Sequence, residues 1–249
     1  MTENLNNNIE NNEEVLKEAS AEVAEEIDEA LTNVSENNDE IDKKEAEAEK
    51  KERKIVDDIL EIVESTLITV FVVMMIFTYI LHPVTVDGPS MNNNLFSGDR
   101  IFMTTVYGGL HYGDIIIINN DYSYLLDDEG KVVKQDISDS RYKECLIKRI
   151  IAVPGQTIDI NPEKEEVIVD GKVLNETYIR ETINSMPFVA FDYPITIPEG
   201  YYFVMGDNRR ESADSRHPDI GLIKKEQIYG KALIKYAPIN DFKFLKFKQ

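Results

Sequence analysis

A serine, a lysine and a turn rich in Asp and Asn are the residues whose types and spacing favour nucleophilic chemistry. Ser90 lies four residues after an uncharged run from Ser65 to Val86. Lys148 interrupts the apolar sequence Leu146-Ile147-Lys148-Arg149-Ile150-Ile151, and the turn reads Gly206-Asp207-Asn208-Arg209, then Ser212-Ala213-Asp214-Ser215-Arg216. A serine hydroxyl becomes a useful nucleophile when a neighbouring base takes its proton. The lysine is the candidate base, provided that its amine is neutral.

Lys148 has two interpretations. A lysine with its ordinary pKa near 10.4 is protonated at neutral pH and cannot act as a base. Lowering that pKa by about three costs roughly 4 kcal/mol, which burial among apolar side chains such as Ile147, Ile150 and Ile151 can impose. The alternative is a strand lysine that points to solvent by simple alternation. The Asp/Asn turn also has a plain explanation, because such turns are held by local hydrogen bonds.

The uncharged run predicts one transmembrane helix. Its 22 residues rise about 33 Å as a helix, enough for a hydrocarbon core of roughly 30 Å. We assign the helix to residues 55–82, with Pro83 as its end; a buried core helix is the alternative. Lys50, Lys51, Arg53 and Lys54 precede the span, so the positive-inside rule places the N-terminus in the cytoplasm.

The charge of the chain is negative and unevenly distributed. The 249 residues carry a net charge of −20, and residues 1–54 hold 18 acidic and 7 basic side chains. This balance, without a basic stripe, argues against nucleic-acid binding. Residues 1–54 are expected to be a disordered acidic arm, with a transient amphipathic helix over 14–34 as the alternative.

Short apolar runs separated by turns predict a mainly β domain over residues 83–249. Asp170-Gly171 between two such runs indicates a two-residue hairpin. We expect the segment 160–197 to form a small inserted cap. The runs are 100–106, 114–119, 146–153, 167–169, 172–174, 201–205 and 231–236.

These motifs, in this order, closely resemble those of the bacterial type I signal peptidases, which are membrane-anchored serine endopeptidases with a Ser/Lys dyad. The resemblance covers about 150 residues. It includes Gly88-Pro89-Ser90-Met91, Gly113-Asp114, Lys148-Arg149 through Val153-Pro154-Gly155, and the turn from Gly206 to Arg216. It implies a signal-peptidase-like β domain, cleavage of signal peptides from secretory preproteins after small-x-small motifs, and location in the bacterial plasma membrane with the catalytic domain outside.

The resemblance assigns roles residue by residue. Ser90 corresponds to the nucleophile and Lys148 to the general base. Ser212 corresponds to the serine that positions the lysine, and Asp207, Asp214 and Arg216 to supporting groups held by salt bridges and hydrogen bonds. The residues expected to bind the substrate are Val86, Gly88, Met91, Leu95 and Ile147.

The chain departs from the family pattern after the nucleophile. Asn92-Asn93-Asn94 stands where the family has x-Pro-Thr, which predicts a looser turn. Gly88 stands where some members carry a serine that donates to the oxyanion hole, so the hole would depend on the Ser90 N–H, with a second donor unidentified.

Other functions remain open from the sequence alone. One is a Ser/Lys protease dedicated to one partner or to a pilin-like substrate, and another is an inactive membrane-tethered scaffold. We expect no cofactor and no metal, since His82, His111 and His217 are widely separated in the sequence. We also expect a monomer in contact with the lipid bilayer, and a buried Cys145 that acts as a small hydrophobe.

Overall fold

The computed structural model describes residues 43–45, 47–183 and 189–245. The chain divides into two units, one ending at Phe71 and the other beginning at Val72. The expected disordered arm falls largely on residues 1–42, and the alternative helix over 14–34 falls there entirely, so both lie outside the described residues.

A single long helix, α1, is described between Lys43 and Tyr79. Within the described part of the chain it alone is long and apolar enough to cross a membrane. Its apolar side chains are exposed, as at Leu67, Phe71 and Met74. The helix begins before residue 55, the expected start, because the Glu/Lys/Ala-rich sequence ahead of it favours helix. Arg53 and Glu49 add an ion pair one turn apart, at 3.8 Å.

The end of the helix corrects the expected boundary. α1 stops at Tyr79, and β1 occupies Leu81–Thr85, so residues 81 and 82 are strand. Pro83 lies inside this strand, opposite Phe102. It is tolerated because β1 is the outermost strand of its sheet, and an edge strand can lack one N–H.

The second unit is mainly β, which confirms the predicted fold class. An eight-stranded sheet has the order β1-β2-β13-β3-β6-β11-β12, with β14 also pairing with β13. A four-stranded sheet, β10-β7-β8-β9, lies within 157–196 and overlaps the segment expected to be a cap. The remaining strands are β2 Arg100–Thr104, β3 Ile115–Asn119, β4 Tyr122–Leu126, β5 Val132–Asp136, β6 Cys145–Ala152, β7 Thr157–Asn161, β8 Glu166–Val169, β9 Lys172–Val173, β10 Ile195–Thr196, β11 Tyr201–Met205, β12 Ile223–Lys224, β13 Ile228–Ala237 and β14 Lys243–Phe244.

Turn chemistry and packing explain which strands were predictable. The β8–β9 hairpin turns at Asp170 and Gly171, with φ of 51° and 74°, as a type I′ turn requires. The β4–β5 hairpin was not predicted, because its strands carry many polar and charged residues. The prediction of a buried Cys145 was wrong, since this residue opens β6 and is exposed.

The central strand β6 matters most for the site. It lies between β3 and β11 and is buried along nearly all of its length. Its alternating residues face two different clusters: Leu146 and Ile150 belong to one apolar core and Ile151 to another. Because both faces of the strand are covered, a charged side chain on it does not reach bulk water simply by pointing to the other face.

A buried ion pair secures the strand β13. The ammonium of Lys235, 1% exposed, contacts Asp99 and also Asp241, the latter at 2.5 Å. Asp99 is itself buried and its carboxylate accepts a hydrogen bond of 2.7 Å from the Phe96 N–H. The pair thus joins β13 to the loop that follows Ser90.

Replacing Lys235 by Met should lower the free energy of unfolding by about 3–5 kcal/mol, because the Asp99 carboxylate would stay buried without its counter-charge. Denaturant unfolding of the detergent-solubilised chain, followed by near-UV circular dichroism, measures this. The control is Lys224→Met, whose pair with Glu226 at 3.4 Å is exposed and should contribute less than about 1 kcal/mol. Equal losses in the two variants would contradict the assignment.

Candidate active site

The structure brings Ser90 and Lys148 into direct contact. The distance from Lys148 Nζ to Ser90 Oγ is 2.9 Å. The amine also lies 3.1 Å from the carbonyl oxygen of Ile147. A nucleophile and a base need this hydrogen-bond distance for proton transfer.

Burial favours the neutral form of the Lys148 amine. Its side chain lies on the face of β6 that carries Leu146 and Ile150, and the residue is only 3% exposed. Desolvation by burial lowers the pKa of Lys148 to about 8, although the negative charges of Asp214 and Glu144 act in the opposite direction. The alternative of a solvent-facing lysine is therefore wrong.

The backbone around Ser90 is fixed by hydrogen bonds. Residues 86 and 99 close the loop that contains it, with Val86 N donating to Asp99 O at 2.8 Å. Asn208 N donates to the Ser90 carbonyl at 3.0 Å, and Asn208 Nδ2 donates to the Pro89 carbonyl at 3.2 Å. The sequence motif assigns no role to Asn208, and the structure shows that it anchors the backbone at Pro89 and Ser90.

Asp207 pairs with Arg149, the residue after Lys148. Met205, the last residue of β11, lies opposite Arg149 on β6, so the chain delivers Asp207 beside that arginine. Arg149 Nε and Nη2 donate to the two oxygens of Asp207 at 2.7 and 2.6 Å. Arg149 Nη1 also donates to the Gly113 carbonyl at 2.7 Å. A buried guanidinium needs such a partner. An arginine within an otherwise apolar strand was therefore the signal in the sequence that could have identified Arg149.

Asp214 forms a local ion pair with Arg216. Arg216 donates to both oxygens of Asp214 at 2.7 Å, and the Gly206 N–H donates to Asp214 Oδ2 at 3.0 Å. Burial alone would raise the pKa of Asp214. The Arg216 charge and hydrogen bonds outweigh burial, so that its pKa lies below the ordinary range. Asp214 is therefore an anion at neutral pH and not a proton-transfer group.

Gly206 packs tightly between Ser90 and Ser212. A Cβ at this position would collide with the Ser90 carbonyl oxygen and the Ser212 Oγ, so only glycine fits. The Ser212 hydroxyl lies 3.5 Å from the Ala213 carbonyl and acts as a hydrogen-bond partner of Asp214. Its expected contact with Lys148 stays a prediction.

The turn after Ser90 is firmly tethered, in contrast to the looser turn expected from its three asparagines. Leu95 N donates to the Met91 carbonyl at 2.9 Å. Asn94 Nδ2 donates to Asp207 Oδ2 at 2.8 Å and to the Tyr178 carbonyl at 2.7 Å. Sequence reasoning missed this role of Asn94, because it depends on a contact with residues 84 and 113 positions away.

The residues expected to bind the substrate lie together. Met91 and Leu95 are buried with Val86 in one apolar cluster, and Ile147 packs against it while partly exposed. Gly88 has φ of 82°, and its N–H donates to the Asp87 carboxylate at 2.8 Å. Among the residues that the structure describes, no three His, Cys, Asp or Glu side chains are grouped so that they could hold a metal ion.

Comparison with known proteins identifies the family. A family model described as "Signal peptidase, peptidase S26" matches residues 59–237. Signal peptidase I S of Bacillus subtilis (strain 168) is 32% identical over 194 residues, which cover 74% of this chain and 92% of that protein. Signal peptidase I of Bacillus licheniformis is 31% identical over 203 residues, which cover 78% of this chain and 97% of that protein.

A solved structure of a signal peptidase I from Enterococcus faecalis V583 has 24% sequence identity to this chain and a TM-score of 0.36. The match covers 51% of this chain and 98% of that one. The family model alone spans well over half of the chain. The chain therefore belongs to the signal peptidase family, peptidase S26.

Proposed function

We propose that this chain is a membrane-anchored serine endopeptidase that removes signal peptides from exported preproteins, with Ser90 as nucleophile and Lys148 as general base. The observation that carries the proposal is the 2.9 Å contact between Lys148 Nζ and Ser90 Oγ at a buried lysine. Membership of the family and relatives named signal peptidase I support the substrate class.

The dyad supports a two-step mechanism. Neutral Lys148 accepts the Ser90 proton while Ser90 Oγ attacks the scissile carbonyl carbon, and the new ammonium then protonates the leaving amine. Lys148, neutral again, accepts a proton from the water that attacks the acyl carbon. The bond from that carbon to Ser90 Oγ then breaks, and the Lys148 ammonium returns the proton to Ser90 Oγ. The Ser90 N–H is the candidate donor to the tetrahedral oxyanion.

Specificity for small side chains is assigned to the apolar cluster beside Ser90. Val86, Met91 and Leu95 are almost completely buried there, and Ile147 lies at its partly exposed edge. A well-filled apolar site leaves space for a small residue and excludes a large one by steric overlap. This packing supports cleavage after small-x-small sequences.

The anchor is assigned to the apolar part of α1, with residues 1–54 in the cytoplasm and the β unit on the other side of the membrane. Basic residues precede the apolar stretch, and Arg100 is the only fixed positive charge in the twenty residues after Leu81. That asymmetry supports this orientation.

Ser90→Ala and Lys148→Ala should each reduce the cleavage rate of a preprotein by about 10⁴-fold or more, because each removes one half of the proton-transfer pair. Mass spectrometry of the products with purified, detergent-solubilised enzyme measures the loss. The matched controls are Ser97→Ala and Lys143→Ala, which change exposed residues and should retain activity. Robust processing by either dyad variant would exclude the assigned mechanism.

The pH profile should report the Lys148 amine. Its pKa of about 8 means that kcat/KM rises through pH 8 and levels off above it, since only the neutral amine accepts a proton. Below that pH the value should fall about tenfold per pH unit. Lys148→Arg should be inactive at every pH, because arginine cannot lose its proton. A profile that continues to rise up to pH 10.5 would contradict a desolvated base.

Membrane topology can be tested by protease protection. Protease added outside intact spheroplasts should digest residues 83–249 and spare an epitope placed within residues 1–54, because the basic flank keeps the N-terminus inside. Immunoblots against epitopes at both ends give the result. Loss of the N-terminal epitope with protection of the β unit would reverse the proposed orientation.

A further inference from the structure

One short segment contacts all three parts of the chain that build the dyad. Residues 176–180, here called the clasp, lie between β9 and β10, outside the motifs on which the family resemblance rests. Their partners are the turn after Ser90, the strand of Lys148, and the turn that begins at Gly206. These partners come from three distant regions of the sequence, so the clasp can fix their relative positions.

The clasp holds the nucleophile turn through a backbone carbonyl. Tyr178 O accepts hydrogen bonds from Asn93 Nδ2 at 2.8 Å and from Asn94 Nδ2 at 2.7 Å. Asn93 has a backbone φ of 100°, a conformation that residues other than glycine rarely adopt without support. These two asparagines stand where the family pattern has Pro and Thr, so here amide hydrogen bonds supply the rigidity of the turn.

The clasp holds the base strand through an aromatic ring. The guanidinium carbon of Arg149 lies 4.3 Å from the centre of the buried Tyr178 ring, a favourable cation–π distance. The Tyr178 hydroxyl donates to Glu176 Oε1 at 2.8 Å. Burial raises the pKa of Tyr178 well above its ordinary value, so that the hydroxyl keeps its proton.

The clasp holds the Gly206 turn through a buried ion pair. Arg209 donates to both oxygens of Glu176, with Nη1 to Oε2 at 2.7 Å. The two side chains are 1% and 8% exposed. Arg209 Nε donates onward to the Gly206 carbonyl at 3.1 Å, and Arg180 N donates to the Asp207 carbonyl at 3.1 Å.

We propose that Glu176 and Tyr178 are positioning residues for the reaction, and that they act by fixing the Ser90 backbone relative to Lys148. The inference rests on the proposed function. The final link is already described: Asn208 N binds the Ser90 carbonyl, and Gly206 packs against the same carbonyl. A shift of the Gly206–Arg209 turn therefore moves Ser90, while Lys148 stays fixed in its strand.

The first test replaces one buried carboxylate. Glu176→Gln should reduce kcat by about 10- to 100-fold with little change in KM, because misplacing reacting groups weakens the transition state more than substrate binding. The matched control is Glu181→Gln, since Glu181 pairs with Arg210 at 2.6 Å with both side chains more than 40% exposed. That control should match the wild-type enzyme. Each protein is assayed on a short peptide with a small-x-small site, well below its own melting temperature.

A second test separates positioning from stability alone. Asn94→Ala removes a contact from the nucleophile turn to the clasp, and Glu176→Gln weakens the contact from the clasp to the Gly206 turn. Their effects on kcat should therefore be coupled, with the kcat of the double variant close to that of the less active single variant. Tyr178→Phe removes one hydroxyl, leaves the ring beneath Arg149, and should reduce kcat several-fold. If Glu176→Gln does not fold, Tyr178→Phe and its double variant with Asn94→Ala provide the same comparison.

The outcomes distinguish the clasp from the proposed function. Suppose that wild-type enzyme cleaves the peptide and Ser90→Ala does not, but Glu176→Gln and Tyr178→Phe retain full kcat. The positioning role is then wrong and the proposed function stands. Additive effects of the Asn94 and Glu176 changes would also overturn the clasp. If wild type and Ser90→Ala give the same result, the proposed function itself is wrong.

Discussion

The structure of the site depends on one constraint: a lysine amine must be excluded from solvent while it lies beside a serine hydroxyl. A pKa of about 8 for Lys148, against an ordinary value near 10.5, corresponds to about 3 kcal/mol against its charged form. The unfolded chain binds the proton of the Lys148 amine more tightly than the folded chain does. At neutral pH, burial of Lys148 therefore lowers the free energy of unfolding by about 3 kcal/mol. The penalty diminishes as the pH rises toward 10.5. The rest of the core must offset it.

The surrounding charges are arranged so that they do not cancel this effect. Asp214 favours the ammonium, but Arg216, which is paired with it, opposes that influence. Asp207 is likewise neutralised by Arg149 on the opposite face of the strand. Each of these two carboxylates therefore has its own guanidinium partner, and both can fix the Gly206 turn without reprotonating Lys148. Removing one arginine would leave an unpaired carboxylate close to Lys148, at a cost typical of a broken buried ion pair.

The sequence was sufficient for features that depend on local pattern. Apolar periodicity located β6 and β11, Asp170-Gly171 located a hairpin, and an uncharged run located the long helix. It was insufficient where the cause is tertiary. Pro83 lies in a strand because that strand is at a sheet edge, and Cys145 is exposed because β6 begins there. The asparagines after Ser90 were expected to loosen the turn, and only the fold shows that Tyr178 binds them.

The most direct test of the account is a titration of Lys148 itself, separate from any assay of cleavage. Carbon-13 NMR of lysine Cε in the full chain, with the Lys148 signal assigned by its loss in Lys148→Met, follows the amine as its proton dissociates. The account predicts a midpoint near pH 8, well below the titration of the exposed lysines. A Lys148 signal that titrates together with the exposed lysines, near 10.4, would contradict the claim that burial supplies the base.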